Sequence, residues 1–429
     1  MVWLIILAGF VITGITGVPI GLGLALTGLA ILYFEVGGAT DLAVTAVWNV
    51  FNEFTLSAVP LFIFMGEIML VSGVSTRLYS AISPLFTRVP GKLLHTNIAV
   101  SAMFGAVSGA STATAAAVGS VAYPELEKRG YNPATVVGTL AAGGTLGLLI
   151  PPSLSLLIYG ATQQVSIGRL FLAGLVPGIM LAVMMMLLII VIARRNPGVV
   201  PQGGERVGVR AALYGLAAIW PLAFLVFAVL GTIYLGLATP TEAAGLGVAA
   251  AVVLGFAWGE LNLRKLWRAF VDSVQVFVAI GIVMLGALVL AQAISILGVP
   301  YEVLSWIQSM SLTPIQVLLA VVVFYLVLGC FFDGISLMLM TLPIVFPVMT
   351  GIGFDPIWLG VVITILIEIG MLTPPVGMNL YVLTGITGNK VTLLEAARAS
   401  VPYWLLLLAG VAILTIFPQI ALFLPSQMN

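Results

Sequence analysis

The sequence predicts an all-α integral membrane protein made of two related, oppositely oriented halves. Each half carries a re-entrant helical hairpin and a transmembrane helix broken by a Pro-Pro pair. Three observations lead there. Of 429 residues, 61% are hydrophobic and only 7% charged, against roughly 25% charged in soluble domains. Glycines and prolines repeat at a fixed offset between the halves. The basic residues flanking the two candidate hairpins are arranged oppositely.

Composition sets the class. Lys+Arg and Asp+Glu number 15 each, so no basic excess exists to meet a nucleic acid. At roughly 20 residues per span, the length suffices for about a dozen membrane segments. One cysteine, Cys330, and one histidine, His95, exclude an internal disulfide, a thiolate cluster and a multi-histidine metal site, and both residues read as structural. No nucleophile–base pair supports an enzyme. The N-terminus is apolar from Val2 with no Lys or Arg before it, which is not the pattern of a cleaved secretory signal.

The repeat comes next. Pro151 and Pro152 precede Pro374 and Pro375 by 223 residues, and the same offset carries Gly147 onto Gly370, Pro133 onto Pro356, Gly130 onto Gly353 and Pro124 onto Pro347. Residues 1–210 form the first half and 211–429 the second. Such duplication is typical of secondary transporters.

Basic residues fix orientation. Arg194, Arg195, Arg206 and Arg210 mark one cytoplasmic loop, and Arg264, Lys265 and Arg268 another, with two apolar spans between them. Within residues 92–129 an apolar run is preceded by Arg88, Lys92 and His95 and followed by Lys128 and Arg129, while Ser108–Thr112 interrupts it. Arms of about 14 residues are too short to span at 1.5 Å per residue. A hairpin open to the cytoplasm accounts for both features. Residues 315–351 have the same form, interrupted at Asp333–Ser336 and flanked without Lys or Arg, so that hairpin enters from outside. Amphipathic stretches around 41–56 and 260–271 also correspond and suit the membrane interface.

The proline pairs interrupt long apolar segments at about 134–162 and 356–386. Proline has no N–H, so Pro151 and Pro152 release the carbonyls of Gly147 and Leu148, and Pro374 and Pro375 release those of Gly370 and Met371. In lipid each needs a partner: water, a side chain or a cation. One reading is a simple kink capped by a neighbouring hydroxyl. The other is a pair of cation sites of the kind broken helices build in transporters. Ser108, Ser111, Thr112, Ser153 and Ser155 cluster near the first break, and Ser336, Thr373 and Asn379 near the second. Asp333 is the acid at either interruption and is a functional candidate by default, or a cap on the helix that follows it. Glu368 and Glu67 are weaker candidates whose alternative is holding helices together. Half-helix N-termini favour an anion, which points to a polar, carboxylate-bearing substrate.

The strings VPLFIFMGEIML (59–70), GAVSGASTATAAAVGS (105–120), GGTLGLLIPPSLSLLIYG (143–160), ATPTEAAG (238–245), DGISLMLMTLPIVFPV (333–348) and MLTPPVGMNLYVL (371–383) resemble the large membrane subunit of tripartite ATP-independent periplasmic (TRAP) transporters, from near residue 1 to near 425. The resemblance implies a Na+-driven importer of an organic acid such as a C4-dicarboxylate, sialic acid or related sugar acid. It implies an elevator mechanism in a bacterial inner membrane, with lipid around the chain and no organic cofactor. It further implies two protein partners, a small four-helix membrane subunit and a periplasmic substrate-binding protein. No segment of the small subunit is fused at the front, so that partner is expected as a separate chain. By position, one Na+ falls to Ser108, Ala110, Ser111, Gly147, Ile150 and Pro152, and a second to Asp333, Gly370, Thr373, Val376 and Met378. Substrate falls to Ser111, Thr112, Ser153, Ser155, Ser336 and Asn379. The rivals are a stand-alone divalent-anion/Na+ symporter, against which the strings argue, and a passive channel, which two non-equivalent inverted ion sites fit less well.

Overall fold

The structure, a computed structural model, describes residues 2–201, 215, 217 and 219–428. Arg206 and Arg210 and the boundary between the halves lie outside the described residues. Among those described, seven helices are long and apolar enough to cross a membrane.

The chain opens with α1 (Val2–Thr16), α2 (Ile20–Phe34), α3 (Asp41–Phe51) and α4 (Ala58–Val71), then α5 (Val74–Phe86). A helical hairpin follows, α6 (Leu93–Ser108) and α7 (Ser111–Lys128), and then a broken helix, α8 (Pro133–Leu149) and α9 (Leu154–Gln163). The 29-residue α10 (Ile167–Arg195) completes this part. Beyond it lie α11 (Trp220–Val226), α12 (Pro240–Ala257) and the 34-residue α13 (Leu263–Ile296). After α14 (Val299–Ser309) comes a second hairpin, α15 (Pro314–Gly329) and α16 (Gly334–Gly351), and a second broken helix, α17 (Pro356–Leu372) and α18 (Met378–Ile386). α19 (Leu393–Ile416) and α20 (Gln419–Ser426) close the fold.

The starts are written locally. Pro133, Pro240, Pro314 and Pro356 each open a helix, where the missing N–H costs nothing. Asn132 accepts from Thr135 N at 3.0 Å, and Asp355 accepts from Ile357 N and Trp358 N at 2.7 and 3.1 Å. Thr239 with Glu242, Thr313 with Gln316 and Thr392 with Glu395 form reciprocal capping boxes.

Two expectations need correction. The arms of the first hairpin have 16 and 18 residues, longer than about 14, because only Gly109 and Ala110 leave the helix. The second hairpin breaks at 330–333 rather than at Asp333–Ser336, because Asp333 caps α16 and Gly334 already belongs to it. From Leu263, the amphipathic stretch at 260–271 is the first turns of α13, which no proline interrupts.

The two broken helices form the centre. Every residue of α8 from Val136 and of α17 from Trp358 is buried. They run antiparallel: Tyr159 Oη, near the end of α9, donates to the carbonyl of Pro356 at 2.7 Å, where α17 begins. At the opposite end Lys390, just after α18, pairs with Glu127 at the foot of the first hairpin at 2.8 Å. The two hairpins therefore enter from opposite ends of this pair. Outside them, α1, α2, α10 and α13 expose rows of large apolar side chains, among them Leu4, Leu7, Leu22, Leu187 and Trp267. Patches of that extent suit lipid rather than water.

Candidate functional site

Each hairpin tip packs into the break of one broken helix. At the first, α6 and α8 approach so closely that a Cβ at Gly105 would stand 2.5 Å from Gly147 Cα. The Gly109 carbonyl accepts from Leu154 N at 3.3 Å, locking the tip to the start of α9. Gly147 faces the Ala110 carbonyl, 3.1 Å from where its own Cβ would be, and the Pro152 carbonyl lies as close, at 3.2 Å, to the corresponding position at Gly109. Ser108, Ala110, Gly147 and Pro152 thus meet in one place. Both α6 and α8 end there, and a helix C-terminus is a partly negative environment suited to a cation.

Thr114 was not visible as a participant from the sequence. Its Oγ1 is 2.6 Å from Ser108 Oγ and donates to the Ala110 carbonyl at 2.8 Å. The signal was present as a hydroxyl one turn into the helix after the tip, lost among the many small residues of 105–120. Ser153 caps α9 and donates to the Leu148 carbonyl, so one of the two released carbonyls is satisfied internally.

The second tip repeats the pattern. A Cβ at Gly329 would stand 2.8 Å from Gly370 Cα. The Cys330 carbonyl accepts from Val376 N at 3.1 Å. The Gly370 carbonyl accepts from Thr373, at 3.2 Å from both its N–H and its Oγ1. Met378 opens α18 directly after Gly377, which has φ +51°. Asp333 is half-buried, and its Oδ2 accepts from Ser336 N at 3.1 Å, so the capping role is realised. Cys330 Sγ donates to the Leu326 carbonyl at 3.1 Å, and His95 Nε2 lies 2.7 Å from the Pro90 carbonyl with its ring stacked on Phe86. Both Pro-Pro bonds are cis.

The remaining residues separate. Thr112 joins Ser108, Ala110, Leu154 and Glu67 around a cavity of about 110 Å³. That is below the roughly 300 Å³ at which small-molecule sites begin. Ser155 is wholly buried, with its Oγ 3.2 Å from Thr364 Oγ1. Ile150 is buried beside Gly178 of α10. Ser111 and Asn379 turn toward each other, with Asn379 Nδ2 donating to Ser111 Oγ at 2.8 Å, and Ser111 Oγ donates in turn to Glu368. Residues 105–114, 147–155, 329–336 and 368–379 hold no Lys or Arg.

Comparison with known proteins places this arrangement. The chain is 34% identical over 403 residues to the C4-dicarboxylate TRAP transporter large permease protein DctM of Pseudomonas aeruginosa, covering 94% of this chain and 93% of that one. It is 34% identical to the ectoine/5-hydroxyectoine TRAP transporter large permease protein UehC of Ruegeria pomeroyi, covering 86% of each. The crystal structure of the YdaH transporter of Alcanivorax borkumensis superposes with a TM-score of 0.64 at 16% identity, over 92% of this chain and 90% of that one, which shows a shared fold. The family model described as the tripartite ATP-independent periplasmic transporter, DctM component, matches residues 7–420, and the chain belongs to that family, as a multi-pass membrane protein.

Proposed function

We propose that the chain is the large transport subunit of a Na+-coupled secondary importer that moves an organic acid anion across a bacterial inner membrane by an elevator mechanism. The observation that carries this reading is the doubled contact of a hairpin tip with a helix break, on two broken helices running antiparallel. It supports two inverted repeats, 1–210 and 211–429, and an ion at each break.

The donor sets fit Na+. Carbonyl and hydroxyl oxygens with at most one carboxylate suit a hard monovalent ion. At the first break these are Ser108, Ala110, Gly147, Ile150 and Pro152, the hydroxyl of Ser111 turning away to Glu368. At the second, Asp333, Gly370, Thr373, Val376 and Met378 serve, with Asp333 supplying the only charge. The Gly370 carbonyl accepts from both the N–H and the Oγ1 of Thr373, so a bound ion would take the place of the hydroxyl donation and gain both oxygens. Bound cations and the N-termini of α7 and α16 would then attract a carboxylate at Thr112 and Ser336, with Ser111, Ser153, Ser155 and Asn379 behind them. The small cavity beside Thr112 must widen to admit a C4-dicarboxylate, consistent with alternating access. The family and the relatives' names support a small membrane subunit and a periplasmic binding protein as partners.

The test is Na+-dependent thermal stabilisation of the purified chain, followed by uptake in proteoliposomes with both partners. A ligand that binds only the folded state raises its stability by mass action. Asp333→Asn keeps a good N-cap and removes the charge. It should retain the wild-type unfolding temperature in choline and lose part of the Na+-specific rise. An undiminished rise removes Asp333 from the ion site.

A further inference from the structure

A third cluster of oxygens lies between the two breaks and belongs to neither. Glu368, near the end of α17, is 2% exposed, and its Oε2 accepts from Ser111 Oγ at 3.2 Å. Ser111 is the first residue of α7, so this bond joins the first hairpin to the second broken helix. Ser111 Oγ accepts from Asn379 Nδ2 at 2.8 Å, and that amide also donates to the Ala141 carbonyl at 3.2 Å. Both amide protons and the hydroxyl proton are then committed. Two enclosed oxygens, Glu368 Oε1 and Asn379 Oδ1, have no hydrogen-bond partner.

Such a cluster is short of positive charge. Glu368 takes part in none of the ion pairs found among the described residues. Removing a carboxylate from water without a counter-charge is costly, and each unsatisfied buried acceptor adds to that cost. The backbone is shaped around the cluster: a Cβ at Gly144 would stand 3.3 Å from Asn379 Nδ2 and 3.2 Å from the Ser111 carbonyl. No group of three His, Cys, Asp or Glu side chains suited to a metal occurs among the described residues; the donors here are hard oxygens, and Glu368 is the one group among them able to carry a negative charge.

We propose that this cluster is a third cation site, taking one Na+ between the first hairpin and the second broken helix. Glu368 supplies the charge, and Asn379 Oδ1 and Ser111 Oγ supply neutral oxygens. The proposal rests on the sodium-coupled reading and extends it: an ion here ties a hairpin of one half to the broken helix of the other. Its occupancy therefore reports on both halves together.

The experiment is thermal unfolding of the purified full chain, with NaCl raised against choline chloride at constant ionic strength and pH. The dependence of unfolding temperature on log[Na+] counts ions bound only to the folded state. Glu368→Gln should lower that slope by one ion of three, about a third, while Na+ still stabilises. Asn379→Ala should keep the slope and raise the half-saturating Na+ at least tenfold, as losses around metal sites commonly do. A Glu368→Gln slope equal to wild type overturns the site. So does an unchanged slope accompanied by loss of a pH-dependent stability change, which would make the occupant a proton. Should Glu368→Gln fail to fold, an unshifted half-saturation in Asn379→Ala overturns it equally. A wild type that does not respond to Na+ refutes the coupling reading itself and the site with it, which separates the two failures.

Discussion

Replacing Gly105 with alanine tests whether the close approach of α6 to α8 builds the first ion site. The added methyl would stand 2.5 Å from Gly147 Cα and 3.0 Å from its nitrogen. Carbon atoms pack at about 3.5–4.0 Å, so the helices must part by roughly 1 Å. The obstacle is backbone, and no flexible side chain can give way. Overpacking of this kind costs about 1–3 kcal/mol. Alanine in place of glycine inside a helix returns about 0.5–1 kcal/mol, leaving a net loss of about 0–2.5 kcal/mol. The same separation draws Ser108 and Ala110 away from the carbonyls of α8, so the Na+ needed for half-maximal stabilisation should rise about tenfold, equivalent to about 1.4 kcal/mol. Gly281→Ala is the control, because no atom lies within 4 Å of its added Cβ. It should be neutral or stabilising by up to about 1 kcal/mol. The assay is thermal unfolding of both variants in choline and in Na+. If Gly105→Ala is as stable and as Na+-responsive as Gly281→Ala, the contact does not shape the site.

Replacing Pro151-Pro152 with Ala-Ala should return N–H groups to the Gly147 and Leu148 carbonyls and impair uptake in proteoliposomes; full activity would remove those carbonyls from the mechanism. Lys390→Ala breaks an ion pair whose side chains are 63% and 34% exposed. It should shift stability by no more than about 1 kcal/mol, measured by unfolding at low and high salt, and a larger loss would mean that the pair holds the hairpin foot in place. In a Cys330→Ala background, cysteines replacing Arg194 or Arg264 should react with an impermeant thiol reagent from the cytoplasm. One replacing Gln163 should react from outside, and the reverse pattern would invert the topology.

Much of this was legible along the chain because the relevant signals are local. Pro133 and Pro356 start helices, Asn132 and Asp355 cap them, and the Pro-Pro pairs end them, all within a few residues. The ends of both broken helices follow from that chemistry. The position of the second tip is harder to read, because a glycine after an acid suggests a break through Gly334, whereas an Asp cap allows the helix to begin directly after it. Ser111 illustrates a limit of another kind. Sequence proximity places it with Ser108, but as the first residue of α7 it points across to Glu368, 257 residues away along the chain.

The sequence by itself determined the membrane class, the doubled hairpin and broken helix, and the carbonyls that proline leaves unpaired, since each follows from composition, spacing or the missing N–H of one residue type. Only the tertiary structure decided which oxygens meet. That depends on how closely α6 packs on α8 and α15 on α17, and on the antiparallel placement of the broken helices that brings Ser111, Glu368 and Asn379 together. These are distances between segments from about 40 to more than 250 residues apart, set by the packing of glycine-lined helix faces, and no local pattern encodes them.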